Sequence, residues 1–102
     1  MHPAKVQRDK VKQLTDLPNI GPAMVADLHI LGITSPEQIK GQDALALYHA
    51  LCDATGARHD PCVLDTFMSI VDFCNGGDAQ PWWHYTAQRK ALYPTVSAAR
   101  KS

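Results

Sequence analysis

Six residues, Leu17-Pro18-Asn19-Ile20-Gly21-Pro22, limit the fold of this chain more than any others. They separate two stretches of helical periodicity with almost no chain between them. Leu17 and Ile20 bracket the turn with apolar side chains. Gly21 can take a positive φ at no steric cost, and Asn19 is among the few other residues that tolerate one. Pro22 suits the first position of a helix, where its missing N–H is not needed. Two helices joined this tightly must pack on one another. The turn also presents backbone amides beside a helix N-terminus, where an anion such as a phosphate can sit.

The remaining pattern is helical throughout. Residues 4–17 carry Val11, Leu14 and Leu17 on one face, and residues 22–31 carry Met24, Val25, Leu28 and Leu31, with Gly32 at the C-cap. Ser35-Pro36-Glu37-Gln38 reads as a capping box that opens a short helix ending near Gly41. Asp43 caps a helix through Leu47, Tyr48, Leu51 and Cys52 to Gly56. Asp60-Pro61 starts the longest helix, striped by Val63, Phe67, Ile70, Val71 and Cys74 and stopped at Asn75-Gly76-Gly77. Thr86 caps a last helix through Leu92, before Pro94. No segment alternates with period two. The expected fold is all-α, a compact bundle of five or six short helices in one domain over residues 1–94, with a flexible tail over 95–102.

Charge and cysteine content narrow the functional classes. Lys and Arg together number 10, Asp and Glu together number 10, so the chain has no overall basic excess of the kind that coats nucleic acid. A local patch is still available. Lys5, Arg8, Lys10 and Lys12 crowd one end, and Arg89, Lys90, Arg100 and Lys101 the other. They form one basic face if the ends meet, or two solvated ends if they do not. Cys52, Cys62 and Cys74 are an odd set that does not suit a disulfide framework. Met1-His2-Pro3 does not begin a secretion signal, and no apolar run approaches the roughly 20 residues of a membrane span. A reduced, cytoplasmic setting without membrane contact is expected.

Four groups of residues could carry function. The turn, with Asn19, Ile20 and Gly21, could meet a phosphate, aided by Lys5, Lys10, Lys12, Arg89 and Lys90, or serve only as a hinge that builds the fold. Trp82, Trp83 and Tyr85, before Arg89-Lys90, could stack on exposed bases or receive a protein partner; the same cluster would also close an open end of the core. Cys62, at the start of a helix beside His59, has the placement of an activated thiol, but Asp60 opposes the thiolate and serves equally as a helix cap. His49, Cys52, His59 and Cys62 hold zinc-type ligands, yet Cys52 lies beside Tyr48 and Leu51 on the apolar side, so no metal or other cofactor is expected. Arg58, Asp60 and Asp65 could instead form a buried ionic network.

The turn resembles the helix–hairpin–helix (SAM-like) modules of DNA repair and recombination proteins, whose loops run apolar, Pro or Gly, Gly, apolar, Gly. Asn19 stands where DNA-binding members usually have glycine, and Ala23 and Met24 where they often carry Lys or Arg. Over residues 5 to 92 the chain also resembles the small bacterial pathogenicity-locus proteins, some of them labelled mitomycin-resistance proteins. The resemblance rests on Leu17 to Pro22, Leu31-Gly32-Ile33, Leu47-Tyr48, the string Arg58 to Asp65, and Pro81-Trp82-Trp83 followed by Arg89-Lys90. It implies no reaction. The expectation is a non-enzymatic accessory domain that contacts DNA through phosphates without sequence preference. An adaptor that uses the Trp82–Tyr85 surface for a protein partner or homodimer is the alternative, and a thiol-dependent enzyme at Cys62 comes third.

Overall fold

The cap signals at Asp43 and Asp60 translate directly into backbone, whereas Thr86 is the first residue of its helix and not its cap, its hydroxyl donating to Asp65 instead. In the computed structural model, which describes residues 1–94 and Val96, four α-helices form among the described residues, with no strand: α1 (Pro22–Ile30), α2 (Ala44–Thr55), α3 (Pro61–Cys74) and α4 (Thr86–Leu92). Asp43 caps α2 by accepting from the Ala46 N–H at 3.0 Å, and Asp60 caps α3 by accepting from the Cys62 N–H at 3.0 Å. Gly56 ends α2 in the left-handed region, at φ 65°. Gln38 reaches back to the Ser35 N–H at 3.0 Å, but the turn it supports, Pro36–Gln38, is a single 3-10 turn and not a helix to Gly41. No described helix is long and apolar enough to cross a membrane.

The first expected helix does not form. Residues 4–17 instead contain three 3-10 turns, at Pro3–Lys5, Arg8–Lys10 and Leu14–Asp16, joined by extended residues. Two interactions outcompete the helix. Asp16 Oδ2 accepts from the N–H groups of Lys12 and Gln13, at 3.0 and 3.1 Å, which fixes a local turn. Arg8 reaches across the molecule to the C-terminus of α3, donating to the carbonyls of Phe73 (2.6 Å) and Gly77, with its guanidinium 4.1 Å from the centre of the Phe73 ring. The segment is thus an irregular arm laid along the body, and its apolar residues still pack: Leu14 and Leu17 are buried, and Val6 and Val11 lie against the core.

The core lies between α2 and α3 and extends under the hairpin and the aromatic segment. Leu47, Tyr48 and Leu51 of α2 meet Leu64, Phe67, Ile70 and Phe73 of α3; Leu28 of α1, Ile33 and Ile39 cover one end. The segment Trp82–Tyr85 is a 3-10 turn packed on α3, and it leads straight into α4. The expected tail lies outside the described residues, apart from Val96, which is buried.

Candidate functional site

The hairpin is built differently from its sequence reading. Gly21 is extended (φ −110°, ψ −174°) and stands as the N-cap of α1; the positive φ belongs to Asn19, at 67°. The Asn19 side chain is half-buried. Its Nδ2 donates to Ser69 Oγ on α3 at 3.0 Å and to the Gln80 carbonyl at 2.8 Å. Its Nδ2 group is thereby used in holding the turn to α3 and to the segment before the tryptophans. On the other side of the turn, the Met1 ammonium donates to the carbonyls of Leu17 (2.9 Å) and Ile20 (2.8 Å), and the Asn19 N–H donates to the Met1 carbonyl at 2.8 Å. Burial pulls the Met1 ammonium below the usual N-terminal range, with the Asp16 charge acting in the opposite sense.

What the hairpin offers a ligand is backbone. The first N–H of α1 to find a carbonyl is that of Val25, bonded to Gly21 O at 3.0 Å. Helix geometry leaves the N–H groups of Ala23 and Met24 in the preceding turn without intrahelical partners. Gly21 has no neighbour within 4 Å of the position a Cβ would take, so the space over this helix start is open.

Two of the predicted sites form a single one. Asn19, Ile20 and Gly21 line a groove of about 580 Å³ together with Pro81, Trp82 and Trp83; Met1, His2 and Pro3 of the N-terminal arm complete it. Trp83 is 63 % exposed and stands edge-to-face against Trp82, with ring centres 5.6 Å apart and planes at 84°. His2 Nδ1 accepts from the Ala4 N–H at 3.1 Å. A smaller depression of about 220 Å³ adjoins the groove through Met1 and is lined by Lys5, Lys10, Gln7 and Asp16. The Asp16 carboxyl is held below the usual range by the two amides it accepts. Lys12 and Lys90 are exposed but line neither cavity.

Two predicted contacts are corrected. Arg89 is 6 % exposed: its Nε donates to Asp65 Oδ1 at 2.7 Å, and Thr86 donates to Asp65 Oδ2 at 2.8 Å. It neutralises a fully buried carboxylate and cannot reach an external phosphate. Asp65 therefore takes its partner from α4, while Asp60 serves as the α3 cap. Tyr85 is buried too, and donates to Asp72 Oδ2 at 2.7 Å; burial, then the Asp72 contact, raises its ionisation well above the usual range. Of the aromatic trio only the two tryptophans are surface groups. Arg89 is therefore withdrawn from any basic face at the surface, and Arg100 and Lys101 lie outside the described residues.

The string Arg58 to Cys62 serves as a clasp between α2 and α3. The Tyr48 hydroxyl donates to the His59 carbonyl, and His59 Nε2 lies 2.9 Å from Thr55 Oγ1. Burial, followed by the neighbouring Cys52, pushes the Tyr48 phenol up to about 12. No disulfide joins Cys52, Cys62 and Cys74, each half-buried, and burial pushes the Cys74 thiol up. Among the described residues no three His, Cys, Asp or Glu side chains are placed to hold a metal, the set His49, Cys52, His59 and Cys62 included. A second cleft, of about 390 Å³ and polar, lies over α3 and α4, lined in part by Asp72, Asn75, His84, Gln88 and Tyr93. Sequence reasoning missed the share of Met1, His2 and Pro3 in the groove, since nothing in the composition of an N-terminal arm shows where it docks.

The family described as "Pathogenicity locus" matches residues 7–91. The chain belongs to the pathogenicity-locus family. That span takes in the hairpin, the clasp and both tryptophans, and leaves Met1, His2 and Pro3 outside. A pathogenicity-locus relative, the mitomycin resistance protein McrB of Streptomyces lavendulae, is 46% identical over 79 residues, covering 78% of this chain and 75% of the relative. No solved structure matches the chain.

Proposed function

We propose that this pathogenicity-locus protein is a non-enzymatic, sequence-nonspecific nucleic-acid-binding domain that acts as an accessory in DNA metabolism. In this reading the Leu14–Ile30 region serves as a helix–hairpin–helix whose first helix is reduced to one 3-10 turn. The observation that carries it is the groove: the hairpin, an open helix start and an exposed tryptophan line one cavity, with Lys5 and Lys10 in the depression beside it. The amides at the α1 N-terminus and the two lysines suit phosphate, and Trp83 suits a base. The name of the McrB relative supports a link to DNA, because mitomycin crosslinks DNA.

Contacts of this kind give weak sequence preference and a steep dependence on salt. The test is an anisotropy titration with labelled oligonucleotides at low salt and at increasing salt. Binding should be similar across sequences, and the double variant Lys5→Gln/Lys10→Gln should flatten the slope of log K against log salt by about 1 to 2. Absence of binding at high micromolar protein refutes the proposal. The exposure of Trp83 equally favours a second reading, a protein-binding adaptor or homodimer, which predicts an assembly in light scattering that Trp83→Ala dissolves.

A further inference from the structure

The groove can be assigned a more specific ligand, an inference that rests on the nucleic-acid reading just given. Its volume, about 580 Å³, falls within the range of sites that enclose a small organic group. Its lining is largely apolar, with Pro3, Pro81 and the two indoles, and with few side chains that could pair with a charge. A phosphate can use the amides at the α1 start but gains nothing from the indoles, and an intact duplex offers them no base face, because its bases are stacked on one another. The part of a nucleic acid that is flat, apolar on its faces and exposed only outside a duplex is the unpaired base. Charge completes the match: the apolar groove adjoins a depression carrying Lys5 and Lys10, so a ring can lie in one while the attached phosphates run to the other. Asp16 shares that depression, but its carboxylate is turned to the Lys12 and Gln13 amides.

We infer that the groove receives one unpaired nucleobase, stacked on the exposed Trp83 indole, with the flanking phosphates led towards Lys5 and Lys10. Trp82 sets the orientation of Trp83 through their edge-to-face contact. The edge of the base points outward to water, which makes the site indifferent to base identity. The ligand class is single-stranded or extrahelical nucleic acid.

The sequence contains two tryptophans, and both line the groove, so tryptophan fluorescence, excited selectively over the tyrosines, reports on this site. Three ligands of equal length are compared: a mixed-sequence single strand, its blunt duplex, and a fully abasic single strand with the same phosphates. The single strand should bind at least about tenfold more tightly than the other two and quench the tryptophans. Trp83→Ala should remove that advantage and leave the abasic affinity unchanged. Gly21→Leu provides a second variant: Gly21 has an ordinary φ and no neighbour at its Cβ position, so the fold tolerates a side chain that enters the groove and displaces the base. Equal binding of all three ligands overturns this inference while leaving the nucleic-acid reading intact. Binding of none overturns both. A fluorescence change that depends on protein concentration alone, without nucleic acid, overturns the inference in favour of self-association.

Discussion

Replacing Gly21 by Asp should make this protein more stable and a poorer ligand binder at once. Gly21 is the N-cap of α1, with the extended backbone that N-cap residues adopt, so an acidic side chain enters without conformational cost. No atom lies within 4 Å of its Cβ position. The new carboxylate can accept from the Ala23 or Met24 N–H, which gains a few tenths of a kcal/mol over glycine as a cap. Its charge at the positive end of the helix adds about 0.3–1 kcal/mol. A total of about 0.5–1 kcal/mol raises the melting temperature of a domain this size by roughly 2–8 °C. The same carboxylate occupies the amides offered to a phosphate and repels it. Loss of one charge-assisted hydrogen bond, about 1.5–3 kcal/mol, weakens binding by about tenfold or more. Calorimetric melting and an oligonucleotide titration read the two effects separately. Gly21→Ser isolates the cap from the charge: it should stabilise less and weaken binding less. An Asp variant that melts lower than the parent, or that binds DNA equally well, refutes the reasoning.

Other positions give independent checks. Arg89→Met should destabilise by about 3–5 kcal/mol in urea unfolding, because it strands the Asp65 charge in the core, and Asp65→Leu added to it should recover most of the loss. Arg8→Ala removes two carbonyl contacts and the ring contact that pin the N-terminal arm to the end of α3; a loss of about 1–2 kcal/mol is expected, read by faster hydrogen exchange at the arm and at the α3 C-terminus. Alkali should weaken the clasp. The folded state holds the Tyr48 phenol neutral to about 12, above its ordinary value of 10, so its contribution is complete below pH 10 and disappears as pH rises towards 12. Alkaline unfolding followed by circular dichroism should therefore be less steep across that window in Tyr48→Phe than in the parent.

The parts of the fold legible in the sequence were those set by local chemistry. Pro22, Asp43, Gly56 and Asp60-Pro61 each satisfy or release particular backbone groups, and each marks a real helix end. The arm was misread because its apolar spacing is helical while its decisive partners are distant. Nothing near Arg8 in sequence signals that it will reach Phe73 and Gly77, nor does Asp16 announce that its side chain will bind amides behind it. The same limit explains Arg89. A buried Asp65 within an apolar helix requires a cation, which is readable; which arginine answers depends on how α4 docks. The site was legible as two separate motifs, and their union was not, since sixty residues of chain lie between hairpin and tryptophans.

That union depends on Asn19. One carboxamide bonds both α3 and the carbonyl of Gln80, so the hairpin and the tryptophan segment are held at a spacing neither could keep alone. The groove consequently cannot exist in a partly folded chain: it arrives with the whole native state and vanishes with it. Under the proposed function, occupancy of the groove would be linked to folding, and a ligand at a hundred times its Kd would add about 2.7 kcal/mol to the stability of the domain. A residue far from the groove, such as Asp65, would tune its affinity for a ligand through the fraction of molecules that are folded, whereas Arg8 would also act through the arm that completes the groove.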